Sequence, residues 1–382
     1  MKIIYIANAR LPTEKAHGYQ IMKMSEAFAD LGADLILVYP SRAGRQIGGV
    51  NPQEYYGVKP NFSLECLRTP DPHWLMGLSG GIYIKLQSLF FIFRLFFYLL
   101  GKRGEREIIF YTRDSYLLPI LKLFSPHVIL EIHDLPHNYN FYLKYWCWLS
   151  GIVSITAGLK DRLVAAGLDG KNILVAPDAV DLKEFENLTQ TKNELRNQLG
   201  LSPEKNLIIY SGHLYEWKGA QILADAAQYL SEKEEVIFIG GTDRDIIRFQ
   251  EKNQPSAQIM ILGRKPRKLI PSYLKAADIL ILPNSAKSEI SKNYTSPLKL
   301  FEYMASGRPI VASNLDSLKE ILTGSECVFF APDDANDLAQ KINNLLLDKD
   351  RAEKISANAY QKVKNYTWEN RAKNIIEFIN YV

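Results

Sequence analysis

The stretch Tyr294-Thr-Ser-Pro-Leu-Lys-Leu-Phe-Glu-Tyr-Met-Ala-Ser-Gly-Arg-Pro-Ile-Val-Ala-Ser313 decides how the chain is read. Ser296 suits an N-cap and Pro297 the first helical turn. Leu298, Phe301 and Met304 or Ala305 follow at helical spacing. Gly307 stops the helix, and Pro309 leads into an apolar run that reads as a strand. Upstream, residues 279–283 form another apolar run. The pattern is strand, helix, strand, and a helix that starts where a strand has ended presents free N–H groups and a dipole suited to phosphate. Glu302, one and a half turns in, could accept hydrogen bonds from sugar hydroxyls, or could simply be solvated.

The same alternation extends in both directions. Short β-branched and aromatic runs recur at 2–7, 34–39, 107–112, 128–133, 151–156 and 172–176, then at 206–210, 236–239, 259–262, 279–283, 309–312 and 328–331. Continuous apolar strands alternating with helices indicate parallel sheets covered on both faces. Two sets separated by a polar gap, Asp181 to about Lys205, predict an α/β protein of two doubly wound Rossmann-like domains. A chain of 382 residues is long enough for both. Ligands of such sheets lie beyond the carboxyl ends of the strands, so the residues after each strand are the ones to inspect.

One of these segments is Tyr210-Ser-Gly-His-Leu-Tyr-Glu-Trp-Lys-Gly-Ala220, which follows a strand and precedes a helix with apolar period (Ile222, Ala226, Leu230). Gly212, His213 and Lys218 there could hold a diphosphate, with Lys218 supplying a full charge. The alternative is a surface loop with an exposed lysine.

Composition narrows the function classes. Hydrophobic residues make up 47% and charged residues 23%, which excludes a disordered chain or a disulfide scaffold. The net charge, 46 − 42 = +4, is too mild for nucleic-acid binding. Residues 251–300 nevertheless carry 9 Lys+Arg against 3 Asp+Glu, an excess that suits an anionic ligand. Cys66, Cys147 and Cys327 are far apart and odd in number, with no metal-ligand spacing, so a reducing cytosol is expected. The apolar start, Met1 to Ile6, is too short for a secretory signal and reads as a first strand.

Residues 82–100, IYIKLQSLFFIFRLFFYLL, stand apart. Lys85, Gln87, Ser88 and Arg94 interrupt the run, and a central Arg is costly in hydrocarbon. Lys102, Arg103 and Arg106 follow it. The readings are a buried or interface helix, a helix docked on an anionic membrane surface through 82–106, or a true span.

Taken together, the 210–220 and 294–313 segments resemble the retaining, metal-independent glycosyltransferases of family 4, which have the GT-B fold, and in particular a subgroup with the SPLKLFEYMA pattern. That family shows G-R-L-x-x-x-K-G at the opening of its second domain, and E-x₇-E followed by a Gly-x-Pro ending. Asn172 to Phe185 (NILVAPDAVDLKEF) is similar to its interdomain crossing. Phe238-Ile-Gly-Gly-Thr242 and Ile261-Leu-Gly-Arg264 are similar to its nucleotide-side loops, and Tyr366-Thr-Trp368 to the start of its returning C-terminal helix.

The resemblance implies an acceptor-side domain at 1–181 joined by a helix at 366–382, a linker region at 182–205, and a donor domain at 206–365, facing each other across a cleft. It implies a nucleotide-diphosphate sugar donor, a glycan or lipid-linked acceptor, and no metal or other cofactor. Lys218 and the helix start at 296–299 (N–H groups of Ser296, Leu298 and Lys299, beside Pro297, which has none) would hold the phosphates. Glu302 would bind ribose, backbone near Gly241 and Arg264 the base side, Gly18 a ligand at close backbone approach, and His133 the sugar. For His133 a structural His–Asp contact is the other reading. Two positions depart from the family pattern: His213 replaces its Arg, and Tyr294 its first Glu, with Glu289 off register. A nucleotide-sugar epimerase and a non-catalytic nucleotide-sugar-binding protein remain the alternatives. The expected location is the cytoplasm, at or near the inner membrane face.

Overall fold

The computed structural model describes residues 1–42, 50–71, 80–104, 108–136, 138–253 and 258–382. His73, Arg106 and His137 lie outside the described residues. The chain divides into two compact units: residues 1–176 with 368–382, and residues 177–367.

The first unit is built on a parallel seven-stranded sheet: β1 (Lys2–Ile6), β2 (Asp34–Pro40), β3 (Ser63–Leu67), β4 (Ile108–Thr112), β5 (Val128–Ile132), β6 (Gly151–Ser154) and β7 (Ile173–Val175), in spatial order β3-β2-β1-β4-β5-β6-β7. Ile3, Ile4 and Ile6 of the central β1 have no exposed surface, as a strand covered on both faces requires. β3 was not foreseen. It is an edge strand whose sequence, Ser-Leu-Glu-Cys-Leu, leaves Ser63, Glu65 and Cys66 exposed, so it lacks the continuous apolar run of its neighbours.

The second unit carries β8 (Asn206–Ser211), β9 (Glu234–Ile239), β10 (Ile259–Gly263), β11 (Ile279–Leu282), β12 (Ile310–Ser313) and β13 (Val328–Phe330), all parallel, in the order β10-β9-β8-β11-β12-β13. In each unit the chain winds outward from its first strand and then returns to that strand's other side. This creates a switch point between β1 and β4, and another between β8 and β11. Crevices for ligands open at the carboxyl ends of such strand pairs.

The expected linker at 182–205 is a correction. It belongs to the second unit and contains helices Lys183–Glu186 and Lys192–Leu199. The latter has a complete capping box: Thr191 Oγ1 accepts from the Glu194 N–H, and the Glu194 carboxylate accepts from the Thr191 N–H. Gly200 closes it in the left-handed conformation, φ 66°. Arg196 is buried and donates to the Ala276 carbonyl (2.9 Å) and Asp278 (2.6 Å), which anchors the segment to the domain.

The last helix, Trp368–Tyr381, belongs to the first unit and packs on helix Ala16–Asp30. Trp368 meets Tyr19 edge to face at 6.2 Å.

Candidate active site

In the second unit the carboxyl ends of β8 and β11 are pressed together by glycine. Gly219 has φ 72°, and a Cβ there would lie 1.7 Å from the Pro283 carbonyl oxygen. The Trp217 carbonyl accepts from the Ser285 N–H at 3.0 Å. The turn Glu216–Lys218 is therefore laid against the residues that follow β11. Gly240 does the same between β9 and β8: with φ 116°, its Cβ would meet the Gly212 carbonyl at 2.4 Å. Gly241 continues that turn with φ 87°. Only glycine allows such left-handed, close-packed turns.

Two lysines are brought together there. Lys218 is half-buried, with Nζ 5.1 Å from the Trp217 ring centroid, and desolvation pulls its ammonium down to about 8. Lys299, in the first turn of helix Leu298–Ala305, is buried, with Nζ 4.3 Å from the Tyr210 ring centroid. Its ammonium has no hydrogen-bond acceptor. Burial, and then repulsion from Lys218, hold it well below the usual lysine value. The helix contributes its own unpaired first-turn N–H groups at Leu298 and Lys299. Desolvated cations beside a helix start form a site for an anion rich in oxygen acceptors.

Glu302, on the same helix, is buried rather than solvated, and its carboxylate is ion-paired with Arg267. Arg267 also approaches Glu184 at 3.5 Å. His213 stacks flat on Tyr215, with rings 4.8 Å apart and 1° from parallel. Arg264 is exposed after β10, two strands from β8.

Several expectations change. Ser296 does not cap the helix. Pro297 occupies the N-cap position, and Ser296 Oγ accepts from the Asp178 N–H at 3.0 Å. Tyr294 is buried in the wide turn Ile290–Tyr294. Glu289 does not substitute for the family's carboxylate, because it is exposed and accepts from Asn293 at 2.9 Å. One polar residue was overlooked. Asn284, directly after β11 and Pro283, is 1% exposed, and neither amide atom has a partner. Its only signal in sequence was a polar residue at the end of an apolar strand.

In the first unit, His133 follows β5 and its Nε2 is bonded to Glu131, not to the adjacent Asp134. Glu131 is fully buried and also bonded by Tyr111 and by Arg371 Nη1 at 3.2 Å. Gln20 joins Glu131 (3.3 Å) to Arg113 (2.7 Å). Burial, and then Arg113, lower the His133 imidazole to about 4, so it is neutral near pH 7. Arg371 holds the Glu131 carboxyl well below its usual range against the opposing effect of burial. The room beside Gly18 is filled by the protein itself. A Cβ there would meet Tyr56 Oη at 2.1 Å, and that hydroxyl donates to the Thr13 carbonyl at 2.6 Å.

Residues 191–362 match the family model described as Glycosyl transferases group 1. This stretch is similar to a glycosyl transferases group 1 domain. It spans both lysines, Glu302 and every strand of the second unit. The chain is 22% identical over 236 residues to the putative teichuronic acid biosynthesis glycosyltransferase TuaC of Bacillus subtilis, covering 61% of this chain and 57% of that protein. It is 26% identical over 227 residues to a D-inositol 3-phosphate glycosyltransferase of Xylanimonas cellulosilytica, covering 56% and 52%. The chain thus spans about half the length of the curated relatives it matches. Among solved structures it superposes on Anabaena Alr3699/HepE in complex with UDP-glucose (TM-score 0.76, 14% identity, 100% of both chains). It also superposes on a sucrose-phosphate synthase of Thermosynechococcus elongatus (TM-score 0.77, 17% identity, 100% and 98%). The two units have the two-domain GT-B fold of these structures.

Proposed function

We propose that the protein is a retaining, metal-independent glycosyltransferase that moves a sugar from a nucleotide-diphosphate donor to a glycan or lipid-linked acceptor. The observation that carries this reading is the buried Lys299 ammonium, without a hydrogen-bond acceptor and repelled by Lys218. A desolvated cation with no partner is costly on its own. A diphosphate between Lys218, Lys299 and the helix start relieves that cost, and the relief grows as the sugar–phosphate bond breaks and charge builds on the leaving group. The two ammonium groups supply the positive charge that a divalent cation would otherwise bring. Glu302, steadied by Arg267, accepts hydrogen bonds from ribose hydroxyls, and the glycine turns at 240 and 241 admit the nucleoside. UDP and UDP-glucose bound to Alr3699/HepE support a nucleotide-sugar ligand. Retention of the anomeric configuration rests on the family resemblance. A cytoplasmic location fits three free cysteines.

The test is transfer and donor hydrolysis across a panel of nucleotide sugars, in excess EDTA, with the product anomer assigned by NMR. Turnover that requires an added divalent cation overturns the metal-free mechanism, and an inverted product overturns retention. The buried Tyr294 and outward Glu289 favour one second reading, nucleotide-sugar binding without turnover. A donor that raises Tm but is neither hydrolysed nor transferred would establish it.

A further inference from the structure

Helix Gly80–Leu100 has two apolar faces. Phe91, Leu95 and Leu99 are at most 1% exposed and belong to the core of the first unit. Ile82, Leu89, Phe93 and Phe97 are 58%, 58%, 61% and 52% exposed. Steps of seven, four and four residues align these four on one stripe. Lys85 and Arg94, both exposed, fall on opposite flanks of that stripe at 3.6 residues per turn.

The stripe continues onto neighbouring elements. Phe96 packs edge to face on Phe124 at 5.6 Å, beside Leu123, which is 69% exposed. Lys122 lies 4.2 Å over the Trp148 ring, Trp148 meets Tyr145, and Lys144 lies 4.8 Å from the ring of the exposed Phe141. Rings and lysine stems interleaved in this way place apolar bodies inward and ammonium tips outward at a water–lipid boundary. Neither helix 80–100 nor helix Tyr139–Trp146 contains an acidic residue, and Lys102 and Arg103 follow the first. Among the described residues, the carboxylate of Asp71 is bonded to helix 80–100 through Tyr83 and the buried Gln87.

We propose that this stripe, with Leu123 and Phe141, docks flat on an anionic lipid bilayer. The helix is long and apolar enough to cross a membrane. Crossing would tear Phe91, Leu95 and Leu99 from the core and carry Lys85 and Arg94 into hydrocarbon. Lying in the interface keeps the core intact and sets both cations against headgroup phosphates.

Cosedimentation of the full chain with unilamellar vesicles tests this without any donor, so its outcome is independent of the proposed sugar transfer. Vesicles of phosphatidylcholine with phosphatidylglycerol are expected to bind the protein, and raised salt or phosphatidylcholine alone to weaken binding. The double variant Phe93→Ser, Phe97→Ser is expected to lower affinity by about tenfold or more, and Lys85→Glu, Arg94→Glu to abolish the preference for phosphatidylglycerol. An unchanged Tm in both variants shows that the fold is intact. Absence of vesicle binding, or equal binding by wild type and the phenylalanine variant, overturns the proposal. So does sedimentation velocity without lipid that reveals a dimer broken by the phenylalanine variant, because a second copy would then be the occupant.

Discussion

The two units share one winding plan but end their strands in opposite electrostatic states. At the carboxyl end of β5 in the first unit, charges are closed into a network: Glu131 is bonded by Arg371, Tyr111, His133 and Gln20. Beyond β8 and at the start of helix 298–305 in the second, two ammonium groups repel each other and one has no acceptor at all. A closed network stabilises the fold, whereas an open pair of cations stabilises a ligand. One winding plan thus carries a charge-compensated cluster in one unit and, in the other, the uncompensated cations on which the proposed function rests.

The largest expected effect would break the structural side of this contrast. Arg371→Ala leaves Glu131 buried without its cation and should cost about 3–5 kcal/mol. Denaturant unfolding should register this in the first unit's transition only. Next, Lys218→Ala should lower kcat about 100- to 1,000-fold, the scale of losing a charge-stabilising group in a polar site. Lys299→Met should be similarly slow yet raise Tm, because it removes a desolvated charge that has no hydrogen-bond acceptor. A lower Tm would mean that Lys299 is structural.

The units should also respond to pH in opposite directions. Lys218 is lowered to about 8 in the free protein, and a bound diphosphate favours its charged form. Donor binding near pH 8 should take up a proton, and affinity should fall by about tenfold per pH unit for each proton taken up as pH rises above 8. Calorimetry in buffers of different ionisation enthalpy reads that uptake. His133 titrates near 4 when folded, below its unfolded value, so the unfolded chain binds more protons between those values. First-unit stability is thus fully present above about 6.5 and lost as pH falls toward 4, by at most about 1.4 kcal/mol per pH unit. The smallest expected effect is Glu289→Ala. An exposed carboxylate that accepts from Asn293 should leave turnover within twofold and stability within about 0.5 kcal/mol.

What could be read in advance divides along physical lines. Buried parallel strands announce themselves through uninterrupted apolar runs, as β1 and β8 do. The edge strand β3 alternates polar and apolar residues and stays hidden. Lys218 and Glu302 stood out because local motifs surround them. Lys299 was credited with its backbone N–H, whereas its side chain carries the distinctive chemistry, and side-chain burial is a tertiary property. Thr191-x-x-Glu194 and Gly200 were local helix signals overlooked inside a polar gap. The Glu131–Arg371 pair joins residues 240 positions apart, and no local pattern encodes such a contact.

That separation bears on the order in which the protein is made. Residues 177–367 are contiguous, so the second unit is complete once they have left the ribosome. The first unit, though begun earlier, awaits residues 368–382 and spends most of synthesis with the Glu131 carboxylate lacking its guanidinium. The earlier-born half is the later to mature.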